Sequence, residues 1–422
     1  MSPPNIILIL VDDLGWRDLG SYGSTFYETP HVDQLATEGT RFTDAYAAAP
    51  VCSPTRASIL TGKYPATIGM TDWIDWGNFV HPARGRLVDA PYIDHLPLGE
   101  YSLATALQAA GYHTWHVGKW HLGGEQFYPD KHGFDVNLGG CAWGLPAGGY
   151  WSPWRIPTLE DGVAGQYLTD RLTDEAIRLI QHSAGQPFFL NLWHYAVHTP
   201  LQADRELVRK YEQKSKDLGL DRQPTFAEGA VFPCAHKQDQ RITRRVVQSD
   251  PRYAAMIENL DTNLGRLLAA VAAAGLADNT IVIFTSDNGG LATAEGSPTC
   301  NTPLAEGKGW MYEGGTRVPL IVAGPGIAAG RICPVPVTSP DFYPTILQLA
   351  GLELPSRQAL DGVSLAPLLH QTAMLERDAI FWHYPHYGNQ GGTPGSAVRS
   401  GAYKLIEFFE DRRIELYNLH DD

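Results

Sequence analysis

Asn5-Ile-Ile-Leu-Ile-Leu-Val11 runs straight into Asp12-Asp13. Every residue of that run after Asn5 is apolar, so a strand built from it has to be covered on both faces. Four more short runs have the same character: Tyr112 to Val117, Pro187 to Trp193, Thr280 to Thr285 and Pro319 to Ala323. Helical patterns lie between them. Thr29 is placed to cap a helix that has Pro30 at its first position and runs to Gly39, with Val32, Leu35 and Ala36 on one face. Further helices are expected over Ser102 to Ala110, Gln166 to Ser183, Pro251 to Ala274 and Ser339 to Ala350. Buried strands alternating with helices predict an α/β architecture, a largely parallel sheet covered by helices on both faces.

The pattern changes toward the C-terminus. Ala379 to His383, Ser396 to Arg399, Tyr403 to Phe409 and Ile414 to Asn418 read as short antiparallel strands joined by Gly-rich or charged turns. The chain therefore divides into an α/β domain over 1–375 and a small β subdomain over 376–422. The aromatic-rich segments Gly77 to Gly99 and Gly139 to Pro157 are long irregular loops of the kind that carry function.

Composition narrows the function classes. A 422-residue chain with 44% hydrophobic and 18% charged residues can bury a large core. Its formal charge of −14 argues against nucleic acid as a main partner, which needs a basic surface, but not against a small anion met by a local group of cations. No stretch is apolar enough to span a bilayer. Met1-Ser-Pro-Pro leads into the first strand without a signal peptide, which fits a cytoplasmic chain or a periplasmic or secreted one whose leader has been trimmed. Cys52, Cys141, Cys234, Cys300 and Cys333 form no metal-type pair and no disulfide framework, and apart from Cys52 they read as buried thiols.

Chemistry gathers where strands end. Asp12-Asp13 follows the first strand, and Ser286-Asp287-Asn288-Gly289-Gly290 follows the fourth run. Adjacent carboxylates repel, and Asp and Asn offer the hard oxygens that suit Ca²⁺ or Mg²⁺. Either segment alone is an ordinary turn. Ligands of an open parallel sheet bind beyond the carboxyl ends of its strands, so one cation can bridge the two. Gly118-Lys119-Trp120-His121 and His194-Tyr-Ala-Val-His198 occupy equivalent positions after two other strands. Cys52-Ser-Pro54-Thr-Arg56, ending in Thr61-Gly62, reads as a helix with residue 52 at its N-terminus, where dipole and free amides favour an anion. Cys52 is then a candidate nucleophile with a depressed pKa, and Arg56 points at the same place.

Cys52-x-Pro54-x-Arg56 followed by Ala-Ser-Ile-Leu-Thr-Gly resembles the signature of the type I, formylglycine-dependent sulfatases. Gly111-Tyr-His-Thr-Trp-His-Val-Gly-Lys-Trp-His-Leu-Gly123 is similar to that family's second signature. Gly307 to Gly315 and Glu415 to Leu419 are similar to later blocks, in family order. The resemblance implies an alkaline-phosphatase-like α/β fold with a C-terminal antiparallel subdomain, which in that family often continues past the equivalent of Asp422. It implies a sulfuric ester hydrolase whose Cys52 is converted to formylglycine by a maturase. Asp12, Asp13, Asp287 and Asn288 would hold one Ca²⁺, with residue 52 completing the shell. Arg56 would help polarise the residue-52 hydroxyl, Lys119 and Lys308 would neutralise sulfate oxygens, His198 would protonate the leaving alcohol, and His121 would deprotonate the remaining hydroxyl. His194 would be structural.

The loops point to the substrate. Asp72, Trp73, Asp75, Trp76, His81, Arg84, Trp143, Tyr150, Trp151, Trp154, His383 and His386 gather aromatic faces and polar readers that suit a carbohydrate better than a lipid. Asp72, Trp73, Arg84, Trp143, His383 and His386 are the candidate substrate-binding set. The resemblance is strongest to bacterial-type carbohydrate sulfatases acting on galactose or N-acetylgalactosamine. Two alternatives stand beside this reading: a phosphate or phosphonate monoester hydrolase of the same superfamily, and a non-catalytic sugar-binding relative.

Overall fold

The computed structural model describes residues 3–75, 85–183, 185–232 and 238–422. Its strands are β1 (Asn5–Val11), β2 (Gly39–Tyr46), β3 (His113–Gly118), β4 (Val136–Leu138), β5 (Phe188–His194), β6 (Phe226–Val231), β7 (Arg241–Arg245), β8 (Thr280–Ser286), β9 (Arg317–Ala323), β10 (Arg331–Cys333), β11 (Val337–Thr338), β12 (Ile380–Tyr384), β13 (Gly395–Ser400), β14 (Tyr403–Phe408) and β15 (Arg413–Asn418). The helices are α1 (Pro30–Glu38), α2 (Cys52–Thr61), α3 (Pro65–Ile68), α4 (Leu103–Ala109), α5 (Leu168–Gln181), α6 (Arg205–Asp217), α7 (Pro251–Ala273), α8 (Glu313–Thr316), α9 (Phe342–Leu349) and α10 (Ala366–Leu369).

The main sheet has the order β10-β2-β9-β8-β1-β5-β3-β4, with β11 beside β2. At its centre β1 is parallel to both β8 and β5, and β5 to β3; only β9 runs against its neighbours. Val11 pairs with both His194 and Ser286, and Gly118 pairs with Trp193, so four strands end level at one edge. Alternate residues of β1 enter opposite cores. Ile7, Ile9 and Val11 pack with α1, α5 and α7, whereas Ile6, Leu8 and Leu10 pack with α2, α4 and α9. All seven residues of β1 are buried, as a doubly covered strand requires.

One sequence expectation is corrected and one element was missed. Thr29 precedes α1, but its hydroxyl caps nothing there: it accepts from the Gly20 amide and donates to Asp33. The first amides of α1 are satisfied by Asp261 of α7 instead. The sequence reading also has no strand at β2, which follows α1 without a loop and sets half-buried Arg41 and Thr43 between buried Thr40, Phe42 and Asp44, three of these five being Thr or Asp.

The sheet β12-β13-β14-β15 is antiparallel throughout. One face buries Ile380, Trp382, Tyr384, Ala397, Ile406 and Phe408 against Tyr46, Val51 and Met311. Buried polar links fasten it: Lys404 Nζ lies 2.9 Å from Glu313, Arg399 lies 2.6 Å from Asp44, and the Trp382 indole donates to the Ala47 carbonyl at 2.8 Å. The linked segment, Ala47 to Val51, leads directly into α2.

Candidate active site

Each side chain at the sheet edge is delivered by local geometry. Ser286 Oγ, at the end of β8, donates to the Val11 carbonyl and accepts from the Leu14 amide, which ties the ends of β1 and β8 together. Asp12, Asp13, Asp287 and Asn288 converge there, all buried. Gly118 has a left-handed φ of +107°, and a Cβ there would collide with the Trp193 carbonyl; this turn aims Lys119 under Asp12. Asp13 and His121 are also left-handed, at φ 62° and 56°, a strain that non-glycine residues hold only where their surroundings demand it.

The helix α2 is buried along its whole length, and Gly62 ends it at φ +70°. Its N-cap, Val51, offers no side-chain oxygen, so the first amides have no side-chain cap beside Cys52. Arg56, one turn on, grips Asp287 through Nε at 2.8 Å and Nη2 at 2.7 Å, and donates to the Lys119 carbonyl at 2.9 Å. Lys119 Nζ lies 2.6 Å from Asp12. Lys308, from the loop before α8, lies 2.8 Å from Asp13 and 3.0 Å from His198 Nε2.

Burial sets the electrostatics, and the cations modify it. It pushes Asp12 up to about 6, with Lys119 opposing. It would raise Asp13 too, but Lys308, then His198 and Lys119, hold that carboxyl below the usual range. Burial would discharge Lys308, yet Asp13 overrides it and raises its pKa. Burial, then Lys119, drives His121 well below its ordinary value, so the ring is neutral. Its Nε2 sits 2.7 Å from the Ile74 carbonyl and so carries the proton, which leaves the Nδ1 lone pair facing Cys52 Sγ at 3.3 Å. The expected depression of the Cys52 pKa is corrected: burial raises it, and the nearby lysines do not reverse this. As a thiol, residue 52 is a poor nucleophile here.

The donor set suits a hard cation. Asp12 Oδ1 and Asn288 Oδ1 are buried without a hydrogen-bond partner among the described residues, beside two further carboxylates. Oxygens that no proton donor satisfies are those a divalent ion of the Ca²⁺ type accepts. Ligand atoms of Asp12, Asp13 and His198 also lie within 4.8 Å of one another.

A cleft of about 530 Å³ opens on Cys52, lined among others by Trp73, Asp75, Trp143, His198, Glu295 and Lys308. Of the candidate substrate-binding residues, Trp73 and Trp143 line it. Asp72 and His386 are fully buried supports instead: Asp72 accepts from the Trp73 amide and Tyr384 hydroxyl, and His386 bonds Thr71 and Asp89. His383 lies on the exposed face of β12, because alternation turns it away from buried Trp382 and Tyr384, and it lines a different depression. Arg84, with Trp76 and His81, falls outside the described residues. Tyr150 and Trp154 are core residues. Glu295, Asn389 and Gln390 line the cleft and were not among the candidates. Their meeting depends on two loops about a hundred residues apart, for which the sequence carries no periodic signal.

Comparison with known proteins gives a consistent set of relatives. The Sulfatase family model matches residues 4–352, and a model described as N-sulphoglucosamine sulphohydrolase, C-terminal, matches residues 306–422. The chain is 34% identical to N-acetylgalactosamine-6-sulfatase of Mus musculus, covering 96% of this chain and 72% of the relative. It is 33% identical to a sulfatase of Formosa agariphila, covering 99% and 83%. The solved structure of Ps i-CgsB in complex with k-i-k-neocarrahexaose is similar at a TM-score of 0.76 and 29% identity, covering 100% of this chain and 87% of that one.

Proposed function

The chain belongs to the sulfatase family and hydrolyses sulfuric esters, and from that premise we propose that its substrate is a sulfated carbohydrate, galactose or N-acetylgalactosamine being favoured. The observation that carries this reading is the cleft over Cys52, in which Trp73 and Trp143 offer flat apolar faces beside hydrogen-bonding side chains. Relatives named N-acetylgalactosamine-6-sulfatase, and a similar structure solved with k-i-k-neocarrahexaose, support it.

Residue 52 is proposed to act after conversion to formylglycine by a maturase, beside one Ca²⁺ held by Asp12, Asp13, Asp287 and Asn288. When present, the two groups supply a hydroxyl nucleophile and a hard Lewis acid. The residues of this chain do the rest. Arg56, fixed by Asp287, orients residue 52 from one turn along α2. Lys119 and Lys308 bring positive charge to the sulfate oxygens from buried positions, where it is little screened. His198 protonates the leaving oxygen from Nε2, the ring nitrogen that lies 3.0 Å from Lys308. The neutral His121 accepts a proton from residue 52 at Nδ1.

The test is a turnover screen of matched sulfate and phosphate monoesters of sugars against an activated aryl sulfate. The sulfated sugar should be hydrolysed with the highest kcat/KM and the phosphate poorly. Turnover of aryl sulfate alone would remove the carbohydrate reading.

A further inference from the structure

Glu295 stands at the mouth of the cleft and has no part in the chemistry above. It is exposed, and its backbone is left-handed at φ 53°, between Ala294 and a left-handed Gly296. Such a conformation is disfavoured for a side-chain-bearing residue and is kept where surroundings impose it. Here they do. Asn389 Nδ2 and Gln390 Nε2 both donate to Glu295 Oε1 at 3.1 Å, and the Thr199 hydroxyl approaches Oε2 at 3.5 Å. Gln390 is 4% exposed, and its Oε1, like Asn389 Oδ1, has no hydrogen-bond partner among the described residues.

A surface carboxylate is ordinarily left to solvent or paired with a lysine or arginine. Among the described residues Glu295 has no cation within ion-pair distance, only neutral amides and a hydroxyl, and Lys308 across the cleft is the cation that feels its charge. The carboxylate is held in place with acceptor capacity to spare. Thr199 adjoins His198, so this charge stands next to the residue proposed to face the leaving group. A carboxylate there accepts from a hydroxyl and repels an anion.

Resting on the carbohydrate reading, we propose that Glu295 is a specificity-determining residue: it accepts a hydrogen bond from a free hydroxyl of the leaving sugar and excludes a second anionic substituent there. The buried cations around Cys52 admit one sulfate, and Glu295 requires the neighbouring position to be uncharged. The preferred substrate is then a sugar with an isolated sulfate, not one sulfated on adjacent hydroxyls.

The experiment measures kcat/KM of the wild type, Glu295→Gln and Glu295→Asp on a monosulfated monosaccharide and on the same sugar with a second sulfate on a neighbouring hydroxyl. A screened repulsion across the cleft corresponds to roughly a tenfold preference of the wild type for the monosulfated sugar. Glu295→Gln should reduce that preference to about twofold or less, and Glu295→Asp should restore most of it. An unchanged preference in Glu295→Gln, with the wild type active on these sugars, overturns the proposal alone. A wild type that hydrolyses aryl sulfate but neither sugar overturns the carbohydrate reading and this inference with it.

Discussion

His198 Nδ1 lies 2.8 Å from the Thr199 carbonyl and so carries a proton, which leaves Nε2 turned toward Lys308 and, at 3.6 Å, Asp13. A ring fixed in this way has one nitrogen for orientation and one for proton transfer. An alkoxide leaves poorly without a proton, whereas an activated phenolate leaves without help. His198→Ala should therefore lower kcat on alkyl or sugar sulfates by about 10²–10⁴ and on an activated aryl sulfate by less than about tenfold. Equal losses on both, read from parallel steady-state kinetics, would remove His198 as the leaving-group acid. That Asp12, Asp13, Lys119, His121, His198, Asp287 and Asn288 gather at one edge was legible because each follows a recognisable buried strand, whereas Lys308, in the loop before α8, was suggested only by the resemblance. Asp72, His386 and His383 were misjudged for the opposite reason. Residue type suggested readers of hydroxyls, and only strand register and burial show two of them packed behind the cleft and the third facing away.

Helix α1 illustrates how one element depends on another distant in sequence. Its first amides, on His31 and Val32, donate to the Asp261 carboxylate at 3.1 and 2.8 Å from α7. Asp261→Ala leaves both amides without that acceptor and should cost about 1–2 kcal/mol in denaturant unfolding. Burial raises the Asp261 pKa to about 6 from 3.8, and the two amides only partly oppose it. The folded state thus holds a proton there that the unfolded state gives up near pH 4. Stability from this group is complete below that pH and is lost as pH rises through 6. Relative to the non-titrating Asp261→Asn, the wild type should lose about 1–3 kcal/mol between pH 4 and 7. A difference constant across that range would contradict the burial argument. The five doubly buried strands were readable from their short, nearly uninterrupted apolar runs, and the long helices from the patterns between them. Helix α6 was not, because its buried contacts are few: of its thirteen residues only Tyr211 and Ser215 are buried. The cap of α1 was not readable either, since no local signal marks a carboxylate 230 residues away.

At the scale of the molecule, an alkaline-phosphatase-like sheet fixes the edge where the chemistry gathers, and the antiparallel sheet braces the approach to α2. Trp382 joins the two: its indole donates to Ala47, its ring meets Tyr46 edge-on at 5.3 Å, and Lys404 lies 4.6 Å above it. Trp382→Ala should cost about 3–5 kcal/mol and lower kcat as well, because the segment into residue 52 loses its anchor. Lost stability with undiminished kcat at a temperature where the variant is folded would separate the bracing role from function. All of this converges on residue 52. Peptide mass spectrometry across that residue in purified active enzyme, with kcat measured on the same samples, tests the account most directly. It should find the aldehyde in place of the thiol, activity rising in proportion to the converted fraction, and none in Cys52→Ala; full activity with an unmodified thiol would contradict the account.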